Sequence, residues 1–362
     1  MRCYSDLEVK ELVKQEKVIV INNDKVYDVT DFVERHPGGK HYLLDHVGED
    51  VTNLMSKESP HQHTQAAMTI LKKYCLGHYK YYQGKNGLRH REINGNEKNG
   101  IVRNENLKKD GTESHHEHYS DLEKLVDWDK PMLTQVAHLG ERYFEWVHYP
   151  EDKHIRLFKS DFCEYFSQCP WYVVPMYWVP MLILFLYSSF RLLSEAPCIF
   201  PGTSYEMTPK HMPLMFMIGL ISWTLDEYVI HRWMFHLRPP SNSRLLVTLH
   251  FLLHGQHHKT PLDKKRLVFP PVPATILGIT LYSIYATVFP HGITLSFAAG
   301  TVTGYIIYDL THYFLHHGRP TMPYFISLKK YHVKHHFENQ QLGFGISSKF
   351  WDYPFGTLIP EC

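Results

Sequence analysis

The chain lacks a dominant charge. Its 38 Lys and Arg residues offset 37 Asp and Glu, leaving a net charge of +1 over 362 residues. Without a basic field nothing steers it to a polyanion, so no nucleic-acid partner is expected. Cysteine is also scarce. Cys3, Cys75, Cys163, Cys169, Cys198 and Cys362 are scattered with no CxxC pair, which argues against a disulfide framework and predicts reduced thiols. The opening stretch MRCYSDLEVKELVKQEK has no apolar core and does not read as a secretory leader.

The most informative absence is local. No Asp, Glu, Lys or Arg occurs in the 26 residues between Glu164 and Arg191, or in the 42 between Arg266 and Asp309. A helix crosses a bilayer's hydrocarbon core with about 20 apolar residues. The longer tract can hold two spans, separated at Pro290-His291-Gly292. Four transmembrane helices are expected, at about 171–190, 211–230, 270–289 and 292–312, with Asp226 and Glu227 near the end of the second. Basic residues gather before the first span (Lys153, Arg156, Lys159), between the second and third (Arg232 to Arg266) and after the fourth (Lys329, Lys330, Lys334). By the preference of basic loops for the cytosol, these segments and both termini face that side.

Histidine is what the chain has in excess: 27 residues, 14 of them after residue 210. Four boxes stand out: HRWMFH (His231, His236), HGQHH (His254, His257, His258), HYFLH (His312, His316) and HVKHH (His332, His335, His336). The expected topology puts all four at one membrane face, where they can converge. Imidazole suits Zn, Cu, Fe and Ni, and ten ligands exceed the four to six of a single ion. Two metal ions with about five histidines each fit the number. His211, His250, His291 and His317 stand outside the boxes and are not expected to be ligands. Asp309, with Tyr308 beside it, lies one turn before His312. Asp226 and Glu227 precede His231. These acids are candidates to accept the far N–H of a metal-bound imidazole.

Residues 1–82 read as a separate domain. VIVINNDKVYDVTDF suggests two short strands about an Asn-Asn-Asp turn. A helix after SPHQHT is expected to carry an apolar stripe of Ala66, Ile70, Leu71, Tyr74 and Cys75. DVTDFVERHPGG followed by HxHxxAxxxLxxY resembles a cytochrome b5-type heme domain. That resemblance implies heme b held by two axial histidines, with His36 matching the first and His63 the second, or His61 in its place. With both axial positions filled, such a heme carries electrons and leaves no position for oxygen. Residues 83–125 are poor in apolar side chains and read as a flexible polar linker, in which His115, His116 and His118 are solvated residues. A pre-membrane segment (126–165) and a membrane domain (166–362) follow. The expected architecture is thus a small α+β heme domain, then an all-α membrane domain with four spans and a cytosolic histidine-rich cap.

A fused electron carrier implies that the metal centre consumes electrons, which hydrolysis does not. The order of the four boxes resembles the sterol desaturase/fatty acid hydroxylase superfamily. The runs DEYVIHRWMFH, LHFLLHGQHHK, LVFPPVPA, YDLTHYFLHHG and HHFENQQLGFGISSKFWDYPFGTL, with VDWDKPMLTQVAHLGERYFEWVH at 126–148, are similar to its fatty acid 2-hydroxylase family. The resemblance implies O2-dependent hydroxylation at the α-carbon of long fatty acyl chains or ceramides for sphingolipid synthesis. It also implies an endoplasmic reticulum membrane, an NADPH-dependent reductase feeding the heme, and the ten box histidines as ligands of two metal ions. Iron is the expected catalytic metal, and zinc outranks it in the divalent affinity order. Two other readings stay open at this point: a lipid desaturase or sterol-type oxidase of the same superfamily, and a membrane-anchored heme electron donor with structural zinc.

Overall fold

The computed structural model describes residues 2–37, 40–56, 63, 65–80 and 121–360. His61 and the linker histidines lie outside these residues. By packing the chain divides into two compact units, Met1–Val33 with Lys40–Val126, and Glu34–Gly39 with Asp127–Cys362.

The first unit is built on a sheet of β1 (Arg2–Ser5), β2 (Ile19–Asn22), β3 (Lys25–Asp28) and β4 (Cys75–Lys80) in the order β1-β4-β3-β2. The expected hairpin is β2–β3. Asn23 and Asp24 turn it with φ of 47° and 57°, the pair of left-handed residues that matches the twist of the flanking strands. Alternation along the strands sends Ile19, Ile21 and Val26 to one face, against Val9 of helix Asp6–Lys14. Val18, Val20, Tyr27 and Val29 go to the other face, against Phe32, Val33, Leu43, Val51, Met55 and Leu71. The helix after His63 runs only from Gln65 to Lys72. Tyr74 and Cys75 are therefore not on it. Cys75 opens β4, whose pairing with both β1 and β3 outweighs helical periodicity. His36 is half-buried just beyond the 3-10 helix Thr30–Arg35, and half-buried His63 donates its backbone N–H to Met55 O at 3.2 Å.

The second unit contains four helices long and apolar enough to cross a membrane: Val173–Glu195, Pro209–Phe235, Pro271–Val288 and His291–His317. They overlap the expected spans, and the first, second and fourth run five residues further at their C-terminal ends. Only 6% of the outer third helix is buried, whereas 67% of the most apolar stretch of the fourth is, so the fourth is the central pillar. It lies against the second helix because glycine lets the backbones touch. A Cβ on Gly219 would strike Phe297 O, and one on Gly300 would strike Phe216 O. Ser189 of the first helix donates to Gly292 O at 2.6 Å, tying a third member to the pillar. A fifth helix, Pro323–Phe337, carries HVKHH back under the bundle.

The segment before the first span is anchored by buried charge. Arg266 pairs with Glu164 and donates to Ile155 O at 3.1 Å. Lys259, fully buried, donates to Trp146 O at 3.1 Å and Tyr149 O at 2.7 Å. Both cations extend from the segment that carries HGQHH, so these bonds brace the wall of the histidine cluster.

Candidate metal centre

The spacing of His231 and His236 is wrong for an α-helix, where five residues rotate a side chain by about 140° out of line. The second long helix solves this by widening. Ile230–Phe235 is a π-helical turn, and His236 N–H donates to His231 O at 3.0 Å. Their Nε2 atoms come within 3.2 Å. A second π turn, Phe251–Gly255, carries His254 into Gln256–Lys259, which bears His257 and His258. Such turns are rare and occur mostly at functional sites. His312 and His316 share one face of the fourth helix, and His332, His335 and His336 come from the fifth.

All ten box histidines are buried, and the structure sorts them into two groups of five. His231, His236, His254, His258 and His335 form the first. His257, His312, His316, His332 and His336 form the second. Within each, one ring nitrogen per residue lies within 4.8 Å of all the others. The groups abut: the His258 and His336 rings stack with centroids 4.3 Å apart.

Nitrogens bound to one ion at 2.0–2.1 Å stand roughly 2.8–3.4 Å apart. In the first group His231 Nε2 is 3.2 Å from His254 Nε2, and His335 Nε2 is 3.1 Å from His236 Nε2. In the second, His316 and His332 Nε2 are 2.9 Å apart, His336 and His332 3.1 Å, and His257 and His336 3.0 Å. The donor chemistry fits a cation. His231 Nδ1 and His335 Nδ1 face the carbonyls of Phe344 (2.6 Å) and Leu342 (2.7 Å). A carbonyl only accepts, so both Nδ1 atoms carry hydrogen and both Nε2 atoms present bare lone pairs to their neighbours. Burial pushes the His257 imidazole down to about 3, and pushes His254, His258, His335 and His336 well down, with neighbouring histidines adding to the effect. Neutral imidazole is the metal-binding form.

The four histidines outside the boxes belong to neither group. His250 pairs with Tyr143 OH at 2.6 Å, His211 with Tyr205 OH at 2.9 Å and His291 with Tyr282 OH at 2.5 Å. His317 is in neither group and packs on Tyr313. The acids behave otherwise than expected. Asp309 accepts from Phe269 N–H (3.1 Å) and Tyr305 OH (3.0 Å) rather than from an imidazole. Its helical turn points it at the Leu267–Pro270 loop. Asp226 accepts from Tyr285 OH at 2.6 Å, and Glu227 from the N–H groups of Ile346 and Ser347. Tyr308 stacks on the ring of His312. Carbonyls of the segment after HVKHH take the place that these acids were expected to fill. The Gly-rich run LGFGIS was the only hint of such close backbone approach.

A cleft of about 920 Å³ leads from His254, His257 and His312 between the helices. Trp178, Phe235, Leu281 and Leu295 are among its largely apolar lining, with Tyr308 and Asp309 near the histidines.

A family model described as a cytochrome b5-like heme/steroid binding domain matches residues 5–80, and one described as fatty acid hydroxylase matches residues 216–357. Fatty acid 2-hydroxylase of Mus musculus is 43% identical over 343 residues, covering 93% of this chain and 90% of the mouse protein. The chain belongs to the fatty acid 2-hydroxylase family. Its members are hydroxylating oxidoreductases, and this chain is an enzyme of that kind. Ceramide very long chain fatty acid hydroxylase of Saccharomyces cerevisiae is 32% identical over 94% of this chain and 90% of its own length. A solved structure titled full length scs7p, with only its hydroxylase domain visible, matches with a TM-score of 0.58 and 33% identity over 68% of this chain and 89% of that one.

Proposed function

We propose that the chain uses O2 to hydroxylate the α-carbon of long fatty acyl chains, free or in ceramide, for sphingolipids. The observation that carries this reading is the pair of five-histidine groups at the head of an apolar cleft. Relatives support the substrate class, since two from Arabidopsis thaliana, 41% and 40% identical, are named dihydroceramide fatty acyl 2-hydroxylases.

The ten box histidines would each give a nitrogen to one of two ions, iron for catalysis or zinc as a replacement. Bound there, the ions would supply the binding and reduction of O2. The reaction takes O2, two electrons and two protons, puts one oxygen atom into the C–H bond and releases the other as water. The rest is positioning by the chain. The cleft holds the acyl tail along the fourth helix. The stretch from Leu295 to His312 spans roughly 26 Å at 1.5 Å per residue, so a long tail fits lengthwise with its carboxyl end at the histidines. Trp178, Phe235 and Leu281 exclude water from the tail. Tyr308 forms the wall next to His312. Asp309 contributes by fixing that wall, since it holds Phe269 N–H.

The match over residues 5–80 supports heme b in that N-terminal stretch of the chain. His36 and His63 are its axial ligands in this reading, and an NADPH-dependent reductase supplies it with electrons. The polar linker would tether this donor near the metal centre at high effective concentration. In this reading the membrane is that of the endoplasmic reticulum, and the basic segments favour a cytosolic side for both termini and the metal centre. Turnover under heavy-isotope O2 tests the chemistry: one labelled oxygen should enter the acyl chain at carbon 2. Loss of two hydrogens without gain of oxygen would instead identify a desaturase.

A further inference from the structure

The two histidine groups are not held alike. In the first, His231 and His335 each donate Nδ1–H to a backbone carbonyl, Phe344 O and Leu342 O. In the second, Nδ1 of His257, His332 and His336 is buried with no hydrogen-bond partner among the described residues, whereas in the first this holds for His258 alone. The difference comes from one strap, Leu342–Ser347, which passes beside the first group only.

Two buried carboxylates set the strap. Asp352 accepts from Phe344 N–H and Gly345 N–H, both at 3.0 Å, and from Thr357 Oγ1 at 2.7 Å. Glu227 accepts from Ile346 N–H at 2.9 Å and Ser347 N–H at 2.8 Å. Gly343 N–H donates to Thr357 O at 2.7 Å. Every N–H from 343 to 347 is thereby engaged, which leaves the carbonyls of 342 and 344 aimed at the imidazoles. The turn needs glycine, since Gly343 has φ +75° and a Cβ there would sit 2.5 Å from Ile359 Cδ1. The Phe344 ring adds edge contacts to His231, His236 and His335.

We propose that Asp352 and Glu227 are positioning residues that make the first histidine group the tighter of two unequal metal sites. The inference rests on the reading that each group holds one ion. The N–H···O=C bonds fix the tautomer, hold each ring on axis and raise the basicity of Nε2. Loss of such a partner lowers metal affinity about 10–100-fold. Three imidazoles of the second group have no such partner, against His258 alone in the first, so the ion of the second group leaves first.

The test uses the full-length protein in detergent, loaded with Zn2+ alone and dialysed against graded EDTA, with zinc per chain read by elemental analysis. The wild type should lose its two ions in two separate steps. His332→Ala should abolish the loose step and keep the tight one. Asp352→Asn should shift the tight step towards the loose one by about 10–100-fold, and Glu227→Gln should shift it in the same direction. Melting of the metal-free protein is followed in parallel, because a merely structural role would lower that melting and leave the tight step in place. That pattern overturns the inference, as does loss of both wild-type ions in a single step. A chain that takes up no zinc at all instead contradicts the reading of the two groups as metal sites. Should Asp352→Asn not fold, Glu227→Gln alone decides.

Discussion

Each box histidine contributes one lone pair to a group of five, and no other described side chain is placed to substitute for it. Replacing His257 or His335 with Ala is expected to reduce hydroxylation by at least about 100-fold, the order of a lost outer partner or more. The absorbance of the heme should not change. Product analysis together with a heme spectrum checks both halves. At this scale the sequence was most legible: all ten box histidines converge in two groups of five. The acids were misread because spacing shows which side of a helix a residue is on, not what lies opposite. Asp309 meets a free N–H at Phe269, and Glu227 meets two on the strap. Contacts made by backbone leave almost no mark on side-chain patterns.

Among elements, the close approach of the second and fourth long helices depends on Gly219 and Gly300. Gly300→Leu forces a side chain into the Phe216 carbonyl and should separate the two helices that bear HRWMFH and HYFLH. The expected outcome is loss of metal and a lower melting temperature in detergent, measured together. Arg266→Ala should also destabilise, by about 3–5 kcal/mol, because it leaves the buried Glu164 carboxylate without its cation. Arg266→Ala with Glu164→Leu should recover much of that loss, which a thermal melt would show. The existence and order of the spans were legible from missing charge, and the hairpin from Asn-Asn-Asp. The two π turns were not. A widened turn depends on a few tertiary contacts and on the need to aim His231, His236 and His254 inward, and neither has a periodicity of its own. Cys75 was misplaced for a related reason, since strand pairing to distant β1 and β3 overrode the local stripe.

For the whole molecule, the proposed function joins an electron-carrying heme domain to a membrane hydroxylase. His36→Ala should abolish the heme Soret band and lower turnover driven by NADPH and reductase, while leaving the zinc content of the loaded protein unchanged. Glycosylation-site tags placed at Pro290 and after residue 360 should be modified at Pro290 only, because the two positions are expected on opposite faces of the membrane. The measurement closest to the central claim is lipid mass analysis of cells that lack 2-hydroxylation and express this chain. The wild-type chain should restore sphingolipids with one added oxygen at carbon 2, and His257→Ala should not. Unaltered lipids with a well-expressed, metal-loaded wild-type chain, or full restoration by His257→Ala, would contradict it.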